Sequence, residues 1–293
     1  MAAAVSYMQA DPSYRSHAGY AQSHVKHILQ SPAHYLAAKK RRFSPTLRMA
    51  MGSALHCLVL EGQEQFDQDY ILKPDDISFT TKAGKEWKAE NSKKTILSKT
   101  DADNSWDAVH GMAESLKTLS WFDNTQPDYR KHNEVSVYWD ADGLSCKGRL
   151  DRILLTPTKV VILDLKTTDT IDEKEFTRKI IGGLNYLFQS AWYCEGAEAV
   201  FKLPASFIFA AVERTPPYAK ATFEVSQDML AEGFRQTHFA RKTLVNCMKT
   251  KQWPGLPLRS HMLELPSWYR SPLESATLVP DVDELDAAFR IHE

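Results

Sequence analysis

The chain is poor in cysteine. Its 293 residues hold four, Cys57, Cys146, Cys194 and Cys247, with no CxxC pair among them. That spacing excludes a zinc ribbon and gives no reason to expect a disulfide framework at this length. Reduced thiols and a cytoplasmic location are the matching expectation. No run of about 18 apolar residues occurs, so no membrane-spanning helix is expected. The opening MAAAVSYMQADPSY lacks a basic stretch followed by an apolar one, so no signal peptide is expected either. An excess of one charge is also missing, since 36 Lys and Arg stand against 37 Asp and Glu. A polyanionic partner cannot be argued from the whole chain, and any basic surface must be local. The sequence has no internal repeat and no low-complexity tract.

What is present is ordinary globular composition, 43% hydrophobic and 25% charged, enough for a sizeable core. Residues 1–20 read as a flexible N-terminus. Residues 21–72 read as helical: Ser23 opens HVKHILQ, Pro32 sits in the first turn of PAHYLAAKKRR, and Leu47, Ala50, Met51, Ala54, Leu55 and Leu58 recur at helical spacing. Residues 73–105 are polar and lysine-rich, as expected of a mobile lid. A helix follows in DADNSWDAVHGMAESLKTL. Residues 130–225 hold three strands with turns at Asp140–Gly143 and Thr156–Lys159, a helix interrupted near Gly182, and a strand pair around Pro216. A long amphipathic helix covers 226–250, and 271–293 form a C-terminal tail. The expected fold is α/β (α+β), a central mixed sheet flanked by helices. Residues 21–270 are expected to make one domain.

The sharpest feature is a hairpin. If Thr156–Lys159 is its four-residue loop, with Pro157 at a turn position it favours, symmetric pairing sets Asp151 opposite Asp164. Like charges directly opposed weaken a strand pair. A divalent cation between the carboxylates removes the objection, and hard oxygen ligands suit Mg²⁺ or Mn²⁺. Lys166 shares the Asp164 face, while Leu165 points to the core and offers its backbone carbonyl. Two acids and a lysine at one metal are the machinery of phosphodiester hydrolysis. A three-residue loop would spoil this register, and two solvated carboxylates with Lys166 as a salt-bridge partner are the plainer alternative.

KGRLDRI followed by LDLKTT, with thirteen residues from acid to acid, resembles the PD-(D/E)xK nuclease superfamily. The proline of that name is absent. YLFQSAWYCEGA resembles the Q-x-x-x-Y helix of its RecB-like branch, with Gln189 and Tyr193 on one helical face. MGSALHCLVLEGQEQF is similar to the G-x-x-x-H helix of RecE-type phage exonucleases. SHVKHILQSPAHYLAAK, TTKAGKEW and the late WPGLPL and LPSWY also look like that exonuclease VIII family. The resemblance implies a restriction-endonuclease-like core with an N-terminal helical region. It implies Mg²⁺ as cofactor, Mn²⁺ as a substitute, and 5′→3′ digestion of linear double-stranded DNA in a bacterial host cell. The product would be a 3′ single-stranded tail for a RecT-like annealing protein, made by a ring-shaped homo-oligomer, a trimer or tetramer.

The implied catalytic residues are Asp151, Asp164, Lys166, Gln189 and Tyr193. The implied metal ligands are His56, Asp151, Asp164 and the Leu165 carbonyl. Glu134 is a further candidate acid, with an edge-strand charge as its alternative. Candidate DNA contacts are the basic run Lys39, Lys40, Arg41 and Arg42, then Lys82, Lys85 and Trp87 on the lid, and Lys147 and Arg149 beside Asp151. Each is otherwise an ordinary solvated charge or loop. Scattered cysteines speak against an iron–sulfur cluster, and the absence of a GxxxxGK[ST] loop against a fused helicase. A structure- or sequence-specific endonuclease and a non-enzymatic DNA-binding scaffold are the competing expectations.

Overall fold

The computed structural model describes residues 3–7, 11–41, 44–101, 103–122, 130–258, 262–265, 267 and 269. Residues 1–256 form one compact unit, and residues 257–293 form another. The first unit is built on β1 (Ala4–Ser6), β2 (Tyr20–Ala21), β5 (Lys131–Ala141), β6 (Leu144–Leu155), β7 (Val160–Thr168), β8 (Ala205–Glu213) and β9 (Lys220–Glu224). A small second sheet holds β3 (Tyr70–Leu72) and β4 (Thr95–Leu97). The helices are α1 (Asp11–Ser16), α2 (Gln22–Val25), α3 (Pro32–Lys40), α4 (Leu47–His56), α5 (Gln63–Asp69), α6 (Lys82–Glu90), α7 (Trp106–Lys117), α8 (Glu173–Gly182), α9 (Tyr186–Phe201) and α10 (Gln227–Thr250).

The main sheet runs β1-β5-β6-β7-β8-β9, with β2 added beside β6. Most pairs are antiparallel, while β2 lies parallel to β6 and β7 parallel to β8. A parallel pair needs a crossover, and α8 and α9 supply it between β7 and β8. The β5–β6 hairpin turns at Asp142 and Gly143, both with positive φ as such tight turns require. One face of the sheet packs Val137, Trp139, Ile162 and Phe207 against Phe188 and Trp192 of α9 and Leu244 of α10. The other packs Leu165, Ala210 and Val212 against Met51 and Leu55 of α4 and Met112 of α7. Helices therefore cover a mixed sheet on both faces.

Three expectations from sequence are corrected. Residues 1–20 are not loose where described: β1 pairs with β5, and β2 pairs with β6. Ala21, not Ser23, caps the following helix. The lysine-rich stretch is not an unstructured lid, because Tyr70–Leu72 and Thr95–Leu97 pair in parallel with α6 as the crossover between them. Local polarity hid this unit, whose strands are three residues each. The compact unit runs to Leu256, and the tail 271–293 lies outside the described residues.

Candidate active site

The hairpin loop is Thr156–Lys159. Thr156 Oγ1 accepts from the Lys159 amide at 2.9 Å, and the Thr156 amide donates to the Lys159 carbonyl at 3.0 Å. The ladder then runs Leu155 with Val160 up to Arg152 with Leu163, the symmetric register. It stops there. The next residues in line are Asp151 and Asp164, and in place of a ladder pair the Leu165 amide donates to Asp151 Oδ2 at 2.8 Å. On the other side of β6, Asn133 pairs with Arg152 and Val135 with Leu150, which leaves Glu134 opposite Asp151, again outside the ladder. Glu134 has φ of 50°, a left-handed conformation uncommon for a residue with a Cβ and often found at functional sites. Leu150 and Ile153 both join the core beneath α9, although residues three apart face opposite sides of a regular strand. The sheet thus swivels at Asp151, in the fork between β6 and β7, and three acids from adjacent strands stand in one cross-strand row.

Each acid is neutralised differently. Glu134, 7% exposed, is ion-paired with Arg149. Asp164, 1% exposed, accepts from Gln189 Nε2 at 2.9 Å and is ion-paired with Lys166. Among the described residues Asp151 has only the Leu165 amide and His56, whose Nδ1 lies 3.5 Å from Oδ2. Burial, then the charge of Asp164, pushes the Asp151 carboxyl above its usual range. Burial and Asp151 do the same to Glu134. A cation in this space would relieve both.

His56 arrives from the far layer. It ends α4, where the helix widens into a π turn over Cys57–Glu61, a distortion frequent at functional sites. Its Nε2 lies 2.9 Å from the Leu165 carbonyl. A carbonyl only accepts, so Nε2 carries the proton and Nδ1 presents its lone pair toward Asp151. Burial, then the Lys166 charge, lowers the His56 pKa and keeps the ring neutral. Ligand atoms of His56, Glu134 and Asp151 lie within 4.8 Å of one another. Two carboxylates and a neutral imidazole can hold a divalent cation of the Mn²⁺ or Mg²⁺ type. The arrangement differs from expectation at two points: Asp164 stands beside this set rather than in it, and the Leu165 carbonyl lies against His56.

Lys166 is held as an ammonium. Burial opposes its charge, but Asp164, Tyr186 and Asp151 outweigh it and raise the pKa. It also lies 4.8 Å from the Tyr186 ring centroid. Gln189 and Tyr193 do share the α9 face toward the fork: Gln189 reaches Asp164, and the Tyr193 ring packs on Gly148, where a Cβ would approach within 3.1 Å. Burial, then Tyr14, keeps the Tyr193 phenol protonated. Gln189→Ala is expected to cost about 10- to 100-fold in activity, the range for a side chain that orients a ligating or catalytic group. Steady-state cleavage rates check this, and an unchanged rate would remove Gln189 from the site.

The candidate DNA contacts are dispersed. Lys39, Lys40 and Arg41 are exposed at the end of α3, and Arg42 lies outside the described residues. Lys147 does not face solvent: at 7% exposure its ammonium donates to the carbonyls of Tyr14, Arg15 and His17, at 2.9, 3.1 and 2.7 Å. It clamps the N-terminal segment to β6, so a phosphate contact there is not supported. Arg149 serves Glu134. Glu134 is not a solvated edge charge, because its side chain is buried and ion-paired with Arg149. Lys82 and Lys85 are exposed on α6, and Trp87 stacks on Phe79 with ring centroids 6.4 Å apart. Asp172 caps α8, while Asp169 pairs with Arg214 and Lys179.

Sequence reasoning missed Asn133 and Arg152. Buried Arg152 donates to Asn133 Oδ1 at 2.7 Å, and Asn133 Nδ2 donates to the Leu60 carbonyl at 2.7 Å. That chain ties the π turn after His56 to the strands carrying Glu134 and Asp151. The only signal was a charged residue in the apolar run RLDRILL. Burial, then the Lys166 charge, lowers the pKa of Lys26.

A family model described as a PDDEXK-like domain of unknown function matches residues 21–259. The chain belongs to this family. Its fold is the PDDEXK-like nuclease fold, and nuclease activity is the activity that fold supports. A crystal structure from Eubacterium rectale, described there as a candidate exonuclease, is 13% identical, covers 93% of this chain and 100% of that one, and superposes with a TM-score of 0.57, a likeness of fold. A second solved structure, SSO0001, is 16% identical over 45% of this chain and 57% of that one, with a TM-score of 0.25 that carries no argument. No curated protein matches the sequence. No helix among the described residues is long and apolar enough to cross a membrane.

Proposed function

We propose that this PDDEXK-like protein is a metal-dependent exodeoxyribonuclease that digests one strand of linear duplex DNA from its 5′ end. The 3′ tail left behind would be a substrate for single-strand annealing recombination with a RecT-like protein. The observation that carries the hydrolytic part is the row Glu134, Asp151 and Asp164 across three strands, with His56 facing it from α4. A divalent ion held by His56, Glu134 and Asp151 would polarise the phosphate and lower the pKa of bound water. Mg²⁺ is the proposed ion, with Mn²⁺ able to replace it. Lys166, kept cationic by its neighbours, is placed to steady charge developing on the phosphate oxygens rather than to remove a proton. Gln189 fixes Asp164, and Tyr193 closes the wall over Gly148.

Polarity, the annealing partner and a ring of three or four subunits rest on the resemblance to RecE-type exonucleases. The deciding experiment digests linear duplex labelled at the 5′ end in one sample and the 3′ end in another, beside covalently closed circles. Early loss of the 5′ label with circles intact is the expected result. Cut circles would identify an endonuclease, and early loss of the 3′ label would reverse the polarity.

A further inference from the structure

The unit made by β3, α6 and β4 carries a feature the catalytic fork does not use. Between residues 82 and 99 there are six lysines and two glutamates, in a chain whose net charge is −1. The unit borders an open cleft of about 630 Å³, whose lining includes Leu47, Phe79, Lys85, Lys88, Lys94 and Asn104 and no acidic residue. Lys88 Nζ lies 5.0 Å from the Phe79 ring centroid. Lys94 is anchored to the Asp67 carbonyl at 2.6 Å, but Lys85 and Lys88 have no carboxylate partner among the described residues. Asn104 is 8% exposed; its Nδ2 holds the Ile96 carbonyl at 3.0 Å, while its Oδ1 has no hydrogen-bond partner among the described residues. A buried acceptor left unpaired lacks an N–H donor.

A cleft of this size suits one or two nucleotides and is too small for a duplex. Cationic side chains and an aromatic ring match a phosphate and a base face, the recognition set of single-stranded nucleic acid. The cleft is also tied to the fork by a rigid element. Leu47 opens α4 and His56 ends it, and the helical rise puts them about 14 Å apart along the axis. At the ~3.4 Å rise of a stacked strand this is roughly four nucleotides.

We propose that this unit is a single-strand binding element whose cleft, lined by Lys85, Lys88 and Phe79, holds a nucleotide of DNA a few positions from the phosphate being cut. It rests on the nuclease reading for its purpose, though its test does not depend on cleavage. Binding of a fluorescent oligodeoxythymidine to the full chain is measured by anisotropy, with chelator present, across a salt series. Lys85→Glu with Lys88→Glu is expected to weaken binding about tenfold or more and to lower the salt slope by about 1.4. The charge-matched Lys174→Glu with Lys249→Glu, on α8 and α10, is expected to stay within about twofold of the parent. Phe79→Ala is expected to weaken binding at least about fivefold with the salt slope intact. Equal affinities and slopes in the two charge-reversed proteins would overturn the assignment. So would a blunt duplex that binds as tightly as the oligonucleotide and loses as much in the Lys85 and Lys88 variant. Lys85→Gln with Lys88→Gln removes the charge without adding repulsion and serves if the first pair folds poorly. Absence of metal-dependent cleavage by the parent protein would sink the nuclease reading and leave this binding result standing.

Discussion

Asp164→Ala is expected to reduce DNA cleavage by about 10³-fold or more while duplex binding in the absence of divalent ions is retained. The carboxylate is almost fully enclosed, and Gln189 and Lys166 both point at it. Its backbone is held independently, since β7 pairs with β8 without a break from Val160 to Thr168. Removing the side chain should therefore leave the sheet in place and take away the charge that holds Lys166 as an ammonium. Asp164→Asn keeps the shape and removes only the charge, so it should fail nearly as badly. Rates on end-labelled duplex, read beside a binding assay, separate the two effects. Cleavage within about tenfold of the parent protein would sink the assignment of the fork as the active site.

Arg241→Ala is expected to destabilise the fold by about 3 kcal/mol, the low end of the cost of breaking a buried ion pair, because the guanidinium is buried while Glu195 and Asp142 are partly exposed. Arg241 is 3% exposed on α10. Its Nη1 and Nη2 donate to Glu195 of α9 at 2.6 and 2.9 Å, and its Nε donates to Asp142 at 2.8 Å. The guanidinium lies 5.5 Å from the Trp192 ring centroid. One side chain thus joins two helices to the tight turn between β5 and β6. Without it Glu195, already raised by burial, would lose the partner that opposes that rise. Thermal unfolding should fall by about 10 °C for a chain of this size. Adding Glu195→Gln should return part of the loss, because the stranded charge goes with it. A midpoint within about 2 °C of the parent would mean that the network contributes little.

The two expectations rest on unequal kinds of legibility. The position of Asp151 opposite Asp164, one step beyond the ladder, could be read because a hairpin's register depends on its own loop, and Thr156–Lys159 is local chemistry. Gln189 and Tyr193 followed from helical spacing and a family pattern. Glu134 could be named but not placed, since its position depends on a left-handed backbone that no residue type there announces and on His56 from a distant helix. The Arg241 network was invisible, as its members lie at three distant positions in the chain.

By itself the sequence determined the strand block, the hairpin, the pair of acids with a lysine two residues on, and the helix that faces them. All of these depend on spacings of a few residues. Only the tertiary structure decided that His56 belongs to the fork, because Met51 and Leu55 of its helix pack with Leu165 and Ala210 across more than a hundred residues of chain. It alone decided that Lys147 clamps the N-terminal segment and that the lysine-rich stretch is a folded unit with a cleft. Those outcomes follow from long-range burial, which fixes where a side chain ends but leaves no period or motif in the sequence to read.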